Sequence, residues 1–386
     1  MAKIIVHHLL GRYPFAGIAY QALHHLIGFS RLGHDVYYVE DSDAPPYNPT
    51  TGNITSDHSY SVNFVKKAME KFGFGKKWAY SSKYYNICYG LKKDELAKLY
   101  KEADAIVNLC GTTLLRKEHM QCPVRIYIET DPVTQQIKIA NGDAGAAEYI
   151  QAHTHKFTYG ENLGNKDCPI PLPKGVKYYK TRPPVVLDLW KSDFNQNAKS
   201  FTSLCTWKTD KKGLVFKGEK YMWDKRVNFF KFQDLPKLVD QKFELATSKG
   251  DNSYLKKKGW HIADAVKKSK KNSDYKKYIS NSRGEFTVAK DNVVKSNSGW
   301  FSDRSVCYLA AGKPVVLQET GFSKFIPTGK GLFSFSNLKE AVNAVKEINR
   351  DYEYHSKKAR KIAEKYFDSD KVLGKMLKQC GIKVLL

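Results

Sequence analysis

The sequence predicts an α/β protein built from two doubly wound, mostly parallel sheets that face each other across a cleft. Three observations predict this. Short apolar strands alternate with amphipathic helical stretches along the whole chain. A stretch rich in Gly, Pro, Lys and Asn over 164–184, closed by Pro183-Pro184, interrupts that alternation midway. A length of 386 residues suits roughly two to three domains. The expected layout is a first Rossmann-like domain over 1–190, a second over 197–367, and a C-terminal helix within 369–386 that crosses back to the first.

The elements follow in order. Residues 3–10 form an apolar strand, and 11–17 a turn-forming loop. Ile18, Ala22, Leu23, Leu26, Ile27 and Leu32 then recur at helical spacing up to Gly33, a residue suited to end a helix in a left-handed conformation. Val36–Val39 is the next strand. Leu91–Ala103 reads as an amphipathic helix leading into the strand Ala105–Leu109. Val124–Glu129 is a strand ending in Thr130-Asp131-Pro132, 144–152 a helix, and 156–159 a short strand before Gly160-Glu161-Asn162. Past the boundary, expected near 185–200, strands are predicted at 203–206, 243–247, 285–289 and 314–318. Helices are predicted at 224–232, 274–280, 302–311, one long stretch over 338–367, and 369–379.

Composition excludes several classes. With 24 Tyr, 20 Phe and 6 Trp the chain is no solvated coil, and no apolar run approaches the roughly 20 residues of a membrane span. The start, Met-Ala-Lys-Ile-Ile-Val-His-His, reads as a first strand and not as a signal peptide, so a cytoplasmic location is expected. Seven scattered cysteines, none two residues apart, signal neither a zinc site nor a redox pair and fit buried thiols in a reducing compartment. The net charge is +25, and most of it lies beyond residue 190. That potential attracts phosphates, nucleic acid or an anionic surface, although a lysine-rich codon bias produces the same composition. The loop 11–17 has no G-x-G-x-x-G, which counts against a dehydrogenase.

The segment richest in chemistry runs from Ser282-Arg283-Gly284-Glu285 through Ser298-Gly299-Trp300-Phe301-Ser302-Asp303-Arg304-Ser305. It continues through Leu309-Ala310-Ala311-Gly312-Lys313-Pro314-Val315-Val316 to Glu319-Thr320-Gly321. It spells strand, polar loop, helix, tight turn, strand and a Gly-containing loop. Ser302 or Asp303 caps the helix, whose unpaired N–H groups suit an anion, and Arg304 adds a fixed cation. This segment resembles the nucleotide-binding domain of GT-B glycosyltransferases. The likeness is to the large retaining, family 4-like group, whose helix–turn–strand reads Glu-Ala-x-Ala-x-Gly-x-Pro-Val. Gly33-His34-Asp35-Val36 is similar to the end of the first βαβ unit in many of these enzymes. The resemblance implies a GT-B fold with a donor diphosphate on the helix N-terminus. The family's two glutamates fall at Gly299 and Cys307 here, so Glu285 or Asp303 is the candidate for donor recognition.

Displacing a nucleoside diphosphate from a sugar develops negative charge on the pyrophosphate, which fixed cations and N–H groups stabilise. Those cations are expected to be Lys and Arg, and no metal is expected. The candidate cations are Lys208, Lys225 and Arg304, supported by Glu285, Ser302, Asp303, Ser305 and Gly321, with Gly11 and Gly17 in the loop near the donor. Trp207, Tyr221 and Trp223 are candidates to stack on a base. On the acceptor side, His8 (or His7, since adjacent strand residues face opposite ways), Asp131 and Glu161 lie where a doubly wound sheet opens its crevice. His153 and His155 lack further ligands at metal spacing and read as structural.

The function expected is transfer of a sugar from a nucleotide diphosphate donor, UDP- or GDP-linked, to a glycan, small-molecule or DNA acceptor, without metal and with retention. The alternatives are a DNA-modifying glycosyltransferase acting on a hydroxymethylated base, a nucleotide-sugar 2-epimerase, and a non-catalytic nucleic-acid-binding protein. The last lacks any recognised nucleic-acid-binding motif.

Overall fold

The computed structural model describes residues 1–206, 213–248 and 253–385. Lys208 and Trp207 therefore lie outside the described residues. In the first lobe β1 (Lys3–His7) and β2 (Asp35–Asp41) are followed by a small ribbon, β3 (Tyr47–Asn48) with β4 (Asn53–Ile54). Then come β5 (Trp78–Ser82), β6 (Ile87–Gly90), β7 (Ala105–Leu109), β8 (Val124–Glu129), β9 (His155–Thr158) and β10 (Tyr178–Lys180). The second lobe holds β11 (Ser200–Thr206), a ribbon of β12 (Leu214–Phe216) and β13 (Glu219–Tyr221), then β14 (Lys242–Ser248), β15 (Trp260–Asp264), β16 (Gly284–Thr287), β17 (Val315–Gln318) and β18 (Leu332–Phe335).

The first sheet runs β10-β9-β8-β7-β1-β2-β5-β6 and the second β15-β14-β11-β16-β17-β18. Every pair in both sheets is parallel except β5–β6. Each sheet therefore reverses direction beside its first strand, between β1 and β7 and between β11 and β16. In open α/β sheets ligands bind at that switch point, off the carboxyl ends of the strands.

Alternation along the strands explains the layers. Ile4 and Val6 pack with Leu23 and Leu26 of the helix Ala16–Arg31, while Ile5 packs on the opposite face with Leu96 and Leu99 of Lys93–Glu102. The second lobe repeats this with Phe243, Leu245 and Phe286 on one face and Val315, Leu317 and Tyr308 on the other. The helix Ser369–Gln379 rests on the first lobe. Gly28 leaves room for Leu373, since a Cβ there would lie 2.5 Å from Leu373 Cδ1, and the Val185 N–H donates to the Phe367 carbonyl at 2.7 Å.

Several boundaries differ from expectation. The first strand ends at His7, and the helix expected over 224–232 shrinks to Arg226–Phe230. The stretch over 338–367 is two helices, Leu338–Arg350 and Tyr352–Tyr366. Asp351 leaves helical geometry and caps the second through the Tyr354 N–H at 3.2 Å. No helix among the described residues is long and apolar enough to cross a membrane.

Candidate active site between the lobes

The second lobe builds its side of the site on the end of β16. Asp291, just past it, accepts from the Met222 N–H at 3.0 Å, and the Asn292 N–H donates to the Met222 carbonyl at 2.9 Å. These bonds pin the loop 222–225 over the strand end and place Lys225 there. The Lys225 ammonium has no ion-pair or hydrogen-bond partner among the described residues. Burial, then the nearby Arg304, lowers its pKa to about 7. A desolvated cation without a counter-ion is costly unless an anion completes it.

The helix Asp303–Ala310 starts beside this cation. Ser302 caps it, its Oγ accepting from the Ser305 N–H at 3.4 Å. Arg304 bonds the buried Glu285 carboxylate (Nε to Oε1, 2.7 Å) and Thr287 Oγ1 (3.0 Å). Glu285 is thus the anchor that aims Arg304, and not a ribose ligand. It is fully buried with Oε2 unpartnered, so it does not reach the cleft. Gly299 has φ +79°, and a Cβ there would lie 2.5 Å from the Asn162 amide nitrogen. A glutamate cannot occupy that position. The Gly321 N–H is spent on Glu319 Oε1 at 2.6 Å, and the residue serves the turn with φ +93° against Asn297. Ser305 Oγ is buried and unpartnered.

The start of this helix faces the first lobe. Asp303, partly exposed, has its carboxyl pushed up to about 7 by burial and by Asp131, against the opposing pull of the Gln21 amide and Lys290. Gln21 Oε1 lies 2.9 Å from His8 Nε2 and 3.1 Å from Cys110 Sγ, so first-lobe groups lie directly behind Asp303. Lys290, beyond the end of β16, bonds Asp131 at 2.6 Å and lies 3.9 Å over the Trp223 ring. Trp300 Nε1 donates to the Thr130 carbonyl at 2.8 Å, and the Asn162 N–H to the Ser298 carbonyl at 2.9 Å. The gap is therefore bounded by residues 129–131 and 160–162 on one side and 290–304 on the other.

Other candidates are not brought there as bases. Glu161 is held by Arg182, one contact being Nη2 to Oε2 at 2.8 Å, and Arg182 also reaches the Phe325 carbonyl. It is a strut between the lobes. Burial lowers the His8 pKa to about 3, which leaves a neutral, weakly basic ring. His7 does face the opposite way, stacking on Tyr100 and edging His119. Gly11 turns away from the donor helix, its N–H bonding Glu40 Oε2 at 2.6 Å. Gly17 sits in the first turn of its helix beside Tyr275. Tyr221 packs in an apolar cluster with Val133 and Ile170, so it is no base platform, whereas Trp223 lies at the gap beneath Lys290. His153 bonds Asn108 and the Tyr149 carbonyl. Asp41, Glu118 and His119 have the spacing for a cation, but Arg116 already pairs with both carboxylates. The cysteines are free thiols.

Lys290, Gln21, Trp300 and Asn162 were given no site role from the sequence. Lys290 carried one usable signal, its place three residues past a strand end.

No protein-family model and no curated protein sequence matches this chain. Solved structures do. An α-glucosyltransferase in complex with UDP and a 13-mer DNA superposes with a TM-score of 0.59 at 14% identity, over 99% of this chain and 100% of that one. The avilamycin A biosynthesis glycosyltransferase AviGT4 gives 0.56 at 11% identity, over 99% and 97%. HepE of Anabaena, in complex with UDP and glucose, gives 0.57 at 11% identity, over 99% and 100%. The chain has the GT-B fold these proteins share.

Proposed function

We propose that the protein is a glycosyltransferase that takes a sugar from a nucleotide diphosphate donor. The observation that carries this reading is Lys225, a half-buried ammonium with no ion-pair partner among the described residues, set beside the capped start of the helix Asp303–Ala310. A diphosphate supplies the missing negative charge and finds the Asp303 and Arg304 N–H groups at the helix start. The second lobe (197–367) binds the donor, the first (1–190, with the final helix) binds the acceptor, and Asp131 faces the sugar between them.

UDP or GDP carries the sugar. UDP is favoured because two of the similar structures named above are UDP complexes. Lys225, Lys290 and the helix start supply the positive charge that a divalent ion brings in other transferases, so the reaction is metal-independent. His8 is weakly basic, Glu161 is engaged by Arg182, and Asp131 and Asp303 are assigned here to the sugar and to the donor side, which favours retention, the acceptor attacking the face the diphosphate leaves. DNA is the second candidate acceptor, favoured by the charge of +25 and by the DNA bound to one structural neighbour. The protein works in the cytoplasm.

The test is thermal shift against UDP-, GDP- and TDP-sugars. One of them stabilises the protein, by about 2.7 kcal/mol at a hundred times its dissociation constant. No response to any of them overturns the reading. A DNA acceptor adds a steep loss of DNA affinity between 50 and 200 mM salt, roughly 10³-fold for six phosphate contacts.

A further inference from the structure

We infer that Lys290 is a catalytic cation that changes partner during the reaction: it holds Asp131 before the donor arrives and turns to the departing diphosphate once the donor is bound. This rests on the transferase reading above.

The position is one that a moving cation needs. Lys290 ends the β16 loop in the second lobe, yet its ammonium bonds a carboxylate of the first lobe at 2.6 Å. It is near enough to the donor side to lower the pKa of both Asp303 and Lys225. The cation that holds Asp131 is thus also felt at the helix start. The resting pair is weak by construction, because both members touch solvent, with side-chain exposures of 20% and 37%. A diphosphate bearing two charges outcompetes one partly hydrated carboxylate. The Trp223 ring, 3.9 Å from the ammonium, offers a face along which the cation keeps favourable contact. Arg304 cannot take this part, since Glu285 and Thr287 fix it.

The exchange does two things at once. In the transfer step the bond from the sugar C1 to the diphosphate oxygen breaks, and its electron pair stays on that oxygen beside Lys290. The acceptor hydroxyl oxygen bonds C1, and its proton passes to the departing oxygen. Positive charge develops on the sugar ring meanwhile. Asp131 stabilises it only when Lys290 no longer neutralises the carboxylate. Donor binding thus switches on the opposing carboxylate.

The experiment uses the full chain, the free nucleoside diphosphate (UDP or GDP) and the sugar nucleotide that gives the largest thermal shift. Lys290→Gln lowers kcat by about 10²- to 10³-fold, while the Kd for the sugar nucleotide changes less than tenfold. Lys290→Arg recovers a substantial part of kcat. In the wild type, indole emission changes when the nucleoside diphosphate binds, and Trp223→Phe removes that change. In Lys290→Gln the change is lost although thermal shift still reports binding. Nucleotide binding with unaltered Trp223 emission, or a Lys290→Gln kcat within threefold of wild type, overturns the inference alone. Absence of any nucleotide binding overturns the donor reading and the inference with it.

Discussion

The two crevices are built on the same sheet geometry and filled in opposite ways. Off β1 and β7 the first lobe pairs its polar groups with one another. Asp41 takes Arg116, His119 and the Tyr100 hydroxyl, and His8 and Cys110 share Gln21. Off β11 and β16 the second lobe also pairs a buried carboxylate, but it leaves Lys225 without an ion pair among the described residues. Glu285 balances Arg304, and nothing among the described residues balances Lys225. On the reading proposed above, the first crevice takes the acceptor, and the second, with its unpaired cation, is completed when the donor's anion enters.

The variant that strains this contrast most is Lys225→Met. It removes the surplus cation, and sugar-nucleotide turnover falls by about 10²- to 10³-fold, the worth of one strong preorganised donor. Stability does not fall, because a desolvated charge is lost and no partner among the described residues is stranded. Steady-state kinetics with a melting curve checks both. The mirror experiment lies in the first lobe. Asp41→Asn leaves Arg116 with Glu118 alone and weakens the bonds from His119 and Tyr100, costing about 2 kcal/mol of stability. Sugar-nucleotide affinity stays unchanged. If Asp41→Asn lowers donor affinity while melting normally, the division between the lobes is wrong.

How much of this was legible in the sequence depended on whether the signal was local. The donor helix was legible because a serine cap, an apolar helical face and the Ala311-Gly312-Lys313-Pro314 turn are successive in the chain, and the structure places that helix at Asp303–Ala310. The β5–β6 hairpin and the helix Ser59–Lys71 were missed, since Lys-rich, Tyr-rich stretches hide their periodicity. Within the site, Lys225 and Asp131 stood at element ends where position alone suggests chemistry. Lys290 looked like one lysine among many until its partner, 159 residues away, was brought to 2.6 Å. Glu161 and His8 were singled out from position as acceptor-side bases, but their partners Arg182 and Gln21 decide their chemistry, and those partners lie 21 and 13 residues off in sequence. Tertiary pairing, which spacing does not encode, separates a site residue from a strut.

The dependence of donor binding on pH sharpens the contrast, because on the proposed reading both titrating groups sit on the donor side. Burial raises the Asp303 pKa to about 7 and lowers that of Lys225 to about 7. Below pH 7 the carboxyl is neutral and the ammonium charged, and each form favours an incoming diphosphate. Above pH 7 the carboxyl is charged, the ammonium neutral, and each opposes it. Affinity for a sugar nucleotide, whose diphosphate bears no titrating terminal group, is therefore flat near pH 6. It falls above pH 7 by up to about tenfold per pH unit for each group. Asp303→Asn removes one share of that slope. The same variant tests the sign in the empty protein. A carboxyl whose folded pKa exceeds its unfolded value of 3.8 contributes stability below that value and loses it as pH rises through about 7. Asp303→Asn therefore raises Tm at pH 8 relative to wild type and leaves it nearly unchanged near pH 4. An unchanged Tm at pH 8, with an unchanged slope of affinity, would place Asp303 in open solvent and remove it from the donor side of the gap.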